Sequence, residues 1–167
     1  ATNIHFLIER VLKLLKTEQD KETTFVRDYD PSIPDVKIDN DMIIQALLNI
    51  LKNAQEATVE GGTVLIKTRV ERNYTINSIR YNLVAMIDII DDGIGISSDI
   101  KSKLFLPLVT NKPKGSGLGL SISQKLVSLN NGIIVYEDDD ARTVFKIILP
   151  ICLLYTSDAA DDQAGGG

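Results

Sequence analysis

The chain has no tryptophan, one cysteine and one histidine in 167 residues. The lone Cys152 cannot close an internal disulfide, which fits a reducing, cytoplasmic setting. One histidine and one cysteine leave no ligand set for a structural zinc and no Ser-His-Asp triad. His5 lies between Ile4 and Phe6 with no carboxylate beside it, and reads as a structural residue rather than a base or a phosphoacceptor. Long apolar runs are missing too. The longest, Ile147–Tyr155, contains Pro150 and falls far short of the ~20 residues that span a bilayer. No basic stretch followed by an apolar core opens the chain, so no signal peptide and no membrane insertion are expected. Positive charge is in deficit: Lys+Arg 18 against Asp+Glu 23 gives −5, a poor balance for coating nucleic acid or an anionic membrane. What remains, 44% hydrophobic and 25% charged, is ordinary for one globular domain with one core.

Hydrophobic periodicity supplies the elements. Ile4, Leu7, Ile8, Val11, Leu12 and Leu15 recur at helical spacing over residues 3–16. Thr23–Asp30 is β-rich and is broken by Pro31 and Pro34. Asp39 or Asn40 can cap a helix over about Asp41–Thr58, stopped by Gly61-Gly62. Strands are expected over Thr63–Arg72 and Asn82–Ile90, joined by a polar loop around Asn73–Ser78. A short helix is expected from Ser97 or Ser98, then a Pro-, Lys- and Gly-rich loop over 105–117, then a helix over about Leu118–Leu129 ended by Asn130-Asn131-Gly132. The last hairpin is Ile133–Glu137 and Ala141–Leu149 around Asp138-Asp139-Asp140. This order implies an α/β sandwich of the α+β kind, one mixed sheet covered on one face by helices, over residues 1–153. Residues 154–167 lack periodicity and end in three glycines. They are expected to be a disordered tail, either native or an artificial remnant.

Three features carry chemistry. Asp91-Asp92-Gly93-Ile94-Gly95-Ile96 follows an apolar strand: a carboxylate at a strand end can accept from a buried ligand amine, and the glycines let a flat ligand approach the backbone. An ordinary strand-to-helix turn is the competing reading. Gly115-Ser116-Gly117-Leu118-Gly119-Leu120 opens a helix, where converging N–H groups and the helix dipole suit a phosphate chain. It is neither a Walker loop nor a dinucleotide fingerprint. From Ile100 to Tyr136 there is no Asp or Glu, yet Lys101, Lys103, Lys112, Lys114 and Lys125 fall there, a local cationic stretch that an anionic ligand or simple solvation would explain. Asn49 and Asn53 are i,i+4 neighbours on one helix face. Their amide oxygens could ligate Mg²⁺ beside phosphates, or both could face solvent.

The order of these motifs resembles the ATP-binding catalytic domain of histidine kinases, the Bergerat-type (GHKL) fold shared with gyrase, Hsp90 and MutL. Asn49–Ala54 resembles the N box, Asp91–Ile96 the first glycine box, Phe105-Leu106-Pro107-Leu108 the F box with Leu108 in place of its second Phe, and Gly115–Leu120 the second glycine box. Arg27–Pro34, the helix around Ile43–Ala57 and the stretch Leu108–Ser123 resemble the nitrogen-regulation sensor kinases of the NtrB type. Thr110-Asn111-Lys112 stands there for their usual Thr-Thr-Lys.

The resemblance implies Mg-ATP binding and γ-phosphoryl transfer to a histidine. Asp91 would take the adenine amine, with Gly93, Gly95 and Ile96 shaping the pocket. Asn53 would ligate Mg²⁺, and Asn49 would face the γ-phosphate. Thr110, Lys112, Lys114 and the backbone of Gly115, Ser116, Gly117, Leu118, Gly119 and Leu120 would hold the nucleotide. Asn49 and Asn53 would be the catalytic pair. The implied partners are the dimerisation and phosphoacceptor domain of the same kinase, an NtrC-type response regulator and a PII signal protein. The phosphoacceptor pattern, His followed by an acidic residue, is not found here, so a monomeric fragment of a longer kinase is expected. A nucleotide-gated docking module is the alternative. A gyrase-like ATPase is disfavoured because Asn49 stands where those enzymes carry a basic Glu. An anti-sigma-factor serine kinase shares the fold, but the NtrB-like stretches point elsewhere.

Overall fold

The computed structural model describes residues 1–17, 22–92, 118–139 and 142–153. Within them three helices, α1 (Ile4–Thr17), α2 (Asn40–Ala57) and α3 (Leu118–Leu129), accompany five strands. The strands are β1 (Thr24–Asp28), β2 (Thr63–Ile76), β3 (Ile79–Asp91), β4 (Ile133–Asp139) and β5 (Arg142–Leu153). They form one sheet in the order β1-β2-β3-β5-β4. Only β1 and β2 run parallel, joined through α2, and the remaining pairs are antiparallel. This is the mixed sheet and α/β layering that the element order implies.

The helices form where the apolar spacing demands. Ile4, Leu7, Ile8, Val11, Leu12 and Leu15 of α1 are all buried, as are Ile43, Ala46, Leu47, Ile50, Leu51, Ala54 and Gln55 of α2. Asp39 caps α2, its Oδ1 accepting from the Met42 N–H at 3.0 Å. Gly61 follows the helix at φ 79, a left-handed conformation that glycine adopts without a Cβ penalty. At the end of α3, Asn131 takes φ 65 and the Gly132 N–H donates to Val127 O at 3.0 Å. A side chain at Gly132 is barred, since its Cβ would lie 2.4 Å from Ile148 O.

Alternation along the strands turns Val64, Ile66, Ala85, Ile87, Ile89, Phe145, Ile147 and Leu149 towards the helices, where they join the main core. The other face holds a second, smaller cluster of Ile76, Tyr81, Val84 and Ile148, with Tyr74, Met86, Ile133 and Val135 against it. That cluster exists because the central hairpin is longer than the sequence implies. The polar stretch Asn73–Ser78 is not a loop: β2 runs on to Ile76, β3 starts at Ile79, and only Asn77-Ser78 turn, both at positive φ (49 and 70). Two successive positive φ values are the signature of the tight hairpin turn whose twist matches the strands. Asn73 at φ 54 and the irregular β3–β5 pairing around Leu83 redirect the distal arm so that Ile76 and Tyr81 pack with Val84 and Ile148. The last hairpin is likewise longer, pairing Asp139 with Arg142 and running to Leu153. Pro150 is tolerated because β4 begins opposite Ile148, so no strand on that side needs its missing N–H. The short helix expected from Ser97 or Ser98, the 105–117 stretch and the 154–167 tail lie outside the described residues.

Candidate functional site

The candidate site draws on the end of β3, the second half of α2 and the first turn of α3. Asp91 is the last residue of β3. The alternation that points Ile87 and Ile89 into the core points Asp91 the same way, and it is 2% exposed. The β3–β5 register sets Thr143 directly opposite it on the same face. Thr143 is 3% exposed and its Oγ1 has no hydrogen-bond partner among the described residues. A buried carboxylate thus lies cross-strand from a buried hydroxyl that has no partner among the described residues.

On α2, Asn49 and Asn53 are both half-buried rather than facing open solvent. The Asn49 Nδ2 donates to Gly119 O at 3.3 Å, in the first turn of α3, and its Oδ1 accepts from Gln45 Nε2 at 3.1 Å. Ser123, one turn further on, donates to the same Gly119 carbonyl at 2.8 Å. At the opposite end Asn130 ties the two helices again: its Oδ1 accepts from the Asp39 N–H at 2.8 Å while its Nδ2 donates to Leu126 O at 2.9 Å. The structure thus brings Asn49 of the asparagine motif to Gly119, in the described part of the second glycine motif. A Cβ on Gly119 would make only ordinary contact with Asn49, at 3.9 Å. Leu120 is buried at the edge of the core. Gly93, Gly95, Ile96, Thr110, Lys112, Lys114, Gly115, Ser116 and Gly117 lie outside the described residues, as do Lys101, Lys103 and Phe105–Leu108. Lys125 is exposed on α3.

His5 is structural. Its ring stacks on Tyr29, centroids 4.4 Å apart, and its Nε2 meets Thr68 Oγ1 at 2.8 Å. That hydroxyl also accepts from the Asp30 N–H at 2.9 Å, so Thr68 joins α1 to the turn after β1. Burial pushes the His5 pKa below its ordinary 6.5, against the opposing pull of Asp30 and Glu9. Glu9 is held ionised by Arg27, at 2.7 and 3.1 Å, and also accepts from Tyr29 Oη at 2.7 Å.

Residues 38–152 match the family of histidine kinase-, DNA gyrase B- and HSP90-like ATPases. The chain belongs to this family. Among its solved members, the catalytic domain of the histidine kinase ThkA is 30% identical and superposes with a TM-score of 0.74, over 89% of this chain and 93% of that one. ThkA in complex with the response regulator TrrA superposes at 0.70 with 28% identity, over 89% of this chain and 40% of that one. The sensory histidine kinase/phosphatase NtrB of Klebsiella oxytoca is 42% identical over 150 residues, 89% of this chain. The chain spans 43% of that relative's length. This is a histidine-kinase catalytic domain of the ATPase family, with the fold that its motif order implies.

Two residues beside the predicted motifs escape sequence reasoning. Thr143 carries a signal: it is the polar member of the otherwise apolar series Thr143, Phe145, Ile147 and Leu149 on one face of β5. Gln45 lies one helical turn before Asn49, at the i,i+4 spacing already noted for Asn49 and Asn53.

Proposed function

We propose that this domain binds Mg-ATP and passes the γ-phosphoryl group to a histidine on a separate dimerisation domain, within a two-component nitrogen-regulation system in the cytoplasm. The observation that carries this reading is the Asp91–Thr143 pair. Adenine offers an exocyclic amine donor beside a ring-nitrogen acceptor. A buried carboxylate and a buried hydroxyl with an unused proton complement both. Asn53 on α2 carries an amide oxygen, a donor type suited to Mg²⁺, a hard cation that takes oxygen ligands. When bound, Mg²⁺ neutralises charge on the phosphates.

The residues divide the work of positioning. Asp91 and Thr143 orient the base, with Gly93, Gly95 and Ile96 around it. Thr110, Lys112, Lys114 and the backbone N–H groups of 115–120 hold phosphate oxygens. Asn49 stands near the γ-phosphate. An amide takes no proton at neutral pH, so Asn49 activates no water, which favours transfer to a protein side chain over hydrolysis. His5 is no acceptor in this reading, since its ring is stacked and hydrogen-bonded. The response regulator as a downstream partner is supported by the ThkA–TrrA complex, and an NtrC-type regulator and a PII signal protein by likeness to NtrB.

Calorimetry with a non-hydrolysable ATP analogue tests the site: Mg²⁺-dependent binding is expected, and Asp91→Asn is expected to abolish it. A folded wild-type domain that binds no analogue would overturn the reading. Transfer is tested by labelling a separately prepared acceptor domain with γ-labelled ATP, where Asn53→Ala should give no label.

A further inference from the structure

Asn49 presents one amide to two helices, and the surrounding groups decide which way it points. The Gly119 carbonyl can only accept, so the amide atom 3.3 Å from it must be Nδ2. Oδ1 is thereby turned away from α3, where it meets Gln45, whose Nε2 donates to it at 3.1 Å. Ser123, 0% exposed, donates to the same Gly119 carbonyl at 2.8 Å and keeps that acceptor in place. The oxygen and nitrogen of an amide are nearly equal in size, so packing alone does not choose between the two orientations. Hydrogen bonding does.

We propose that Gln45 is a positioning residue for Asn49: by donating to Oδ1 it holds the amide with its nitrogen towards α3 and leaves the second Nδ2 hydrogen as a donor for a nucleotide phosphate. This rests on the ATP-site reading above. In the flipped orientation Oδ1 would face both the Gly119 carbonyl and the phosphate oxygens, lone pair against lone pair. Gln45 is exposed and meets Asn49 side chain to side chain, so its contribution is to reinforce, from the far side, the orientation that the Gly119 carbonyl selects.

The test compares Gln45→Glu and Gln45→Lys, each in the wild-type and the Asn49→Ala background. Glutamate is an acceptor and attracts Nδ2, so it favours the flip; lysine is a donor and keeps the native orientation. Affinity is read by calorimetry for the Mg-bound ATP analogue and for adenosine, which has no phosphate. Gln45→Glu is expected to weaken the analogue about fivefold, the worth of roughly one hydrogen bond, and to leave adenosine unchanged. Gln45→Lys should stay within about twofold of wild type, and Gln45→Glu should have no further effect once Asn49 is alanine. An equal loss in the Asn49→Ala background would show the new carboxylate repelling phosphate directly, and would overturn the proposal. A second measurement is independent of nucleotide: in the unliganded protein, Gln45→Glu should move the Asn49 side-chain NH₂ resonances and speed their hydrogen exchange, and Gln45→Lys should not. Unmoved resonances overturn the positioning role even if the wild type binds no nucleotide, whereas failure of analogue binding alone falls on the ATP-site reading.

Discussion

Thr143 is buried with a hydroxyl that no neighbouring described residue engages, an arrangement that costs about 1–3 kcal/mol unless something else is bound there. Stability and function therefore pull in opposite directions at this one side chain. Thr143→Val keeps the shape and removes the orphaned proton. It is expected to leave thermal stability unchanged or raise it by about 1 kcal/mol, while lowering affinity for the ATP analogue roughly fivefold. Melting curves and calorimetry on the same sample check both halves. A loss of stability with no change in affinity would make Thr143 a packing residue.

The ties between α2 and α3 belong to the scale of whole elements. Asn130 joins the N-cap residue of α2 to the last turn of α3 through both atoms of its amide. Asn130→Ala removes both bonds and strips the Asp39 N–H of its partner. It should destabilise the domain by about 1–2 kcal/mol, read as a lower urea midpoint with an unchanged slope. The helices themselves were legible in the sequence, because one-sided burial at a period of 3.6 writes itself into residue order: the six α1 residues that share the helical spacing are the six buried ones, and Phe6 and Leu14, off that face, are exposed. The distal hairpin was not. Ile76 is buried only because Tyr81, Val84 and Ile148 meet it on the far face, and Ile148 arrives from a strand far along the chain. Locally, Arg72–Asn77 is as polar as a loop. The site divides in the same way. Asp91 and the two asparagines stood out as residues in unusual local settings. Thr143 and Gln45 left only weak traces there, a polar break in an apolar series and an i,i+4 spacing, and cross-strand register and hydrogen-bond direction were needed to single them out.

At the scale of the whole molecule, α1 is fastened to the sheet through the neutral ring of His5, and this makes stability depend on pH. The folded pKa lies below the ordinary 6.5, so the unfolded chain takes up the proton first as pH falls. The stabilisation is complete above the unfolded value and is lost as pH falls through the folded one. Melting temperature should therefore decline as pH falls below the ordinary 6.5, and His5→Gln, which cannot titrate, should flatten that decline. An unchanged slope in the variant would place the pH dependence elsewhere.

The turn that closes α3 also sets how the protein ages. Asn131-Gly132 is a pairing prone to spontaneous deamidation, in which the glycine nitrogen attacks the asparagine side-chain carbonyl carbon, closes a succinimide ring and expels ammonia. Here that nitrogen is engaged through its hydrogen with Val127 O, and Asn131 is fixed at φ 65. The ring can close only after this corner of the fold opens. The slow one-dalton mass gain at Asn131 thus becomes a clock for how often the native state lets go of α3.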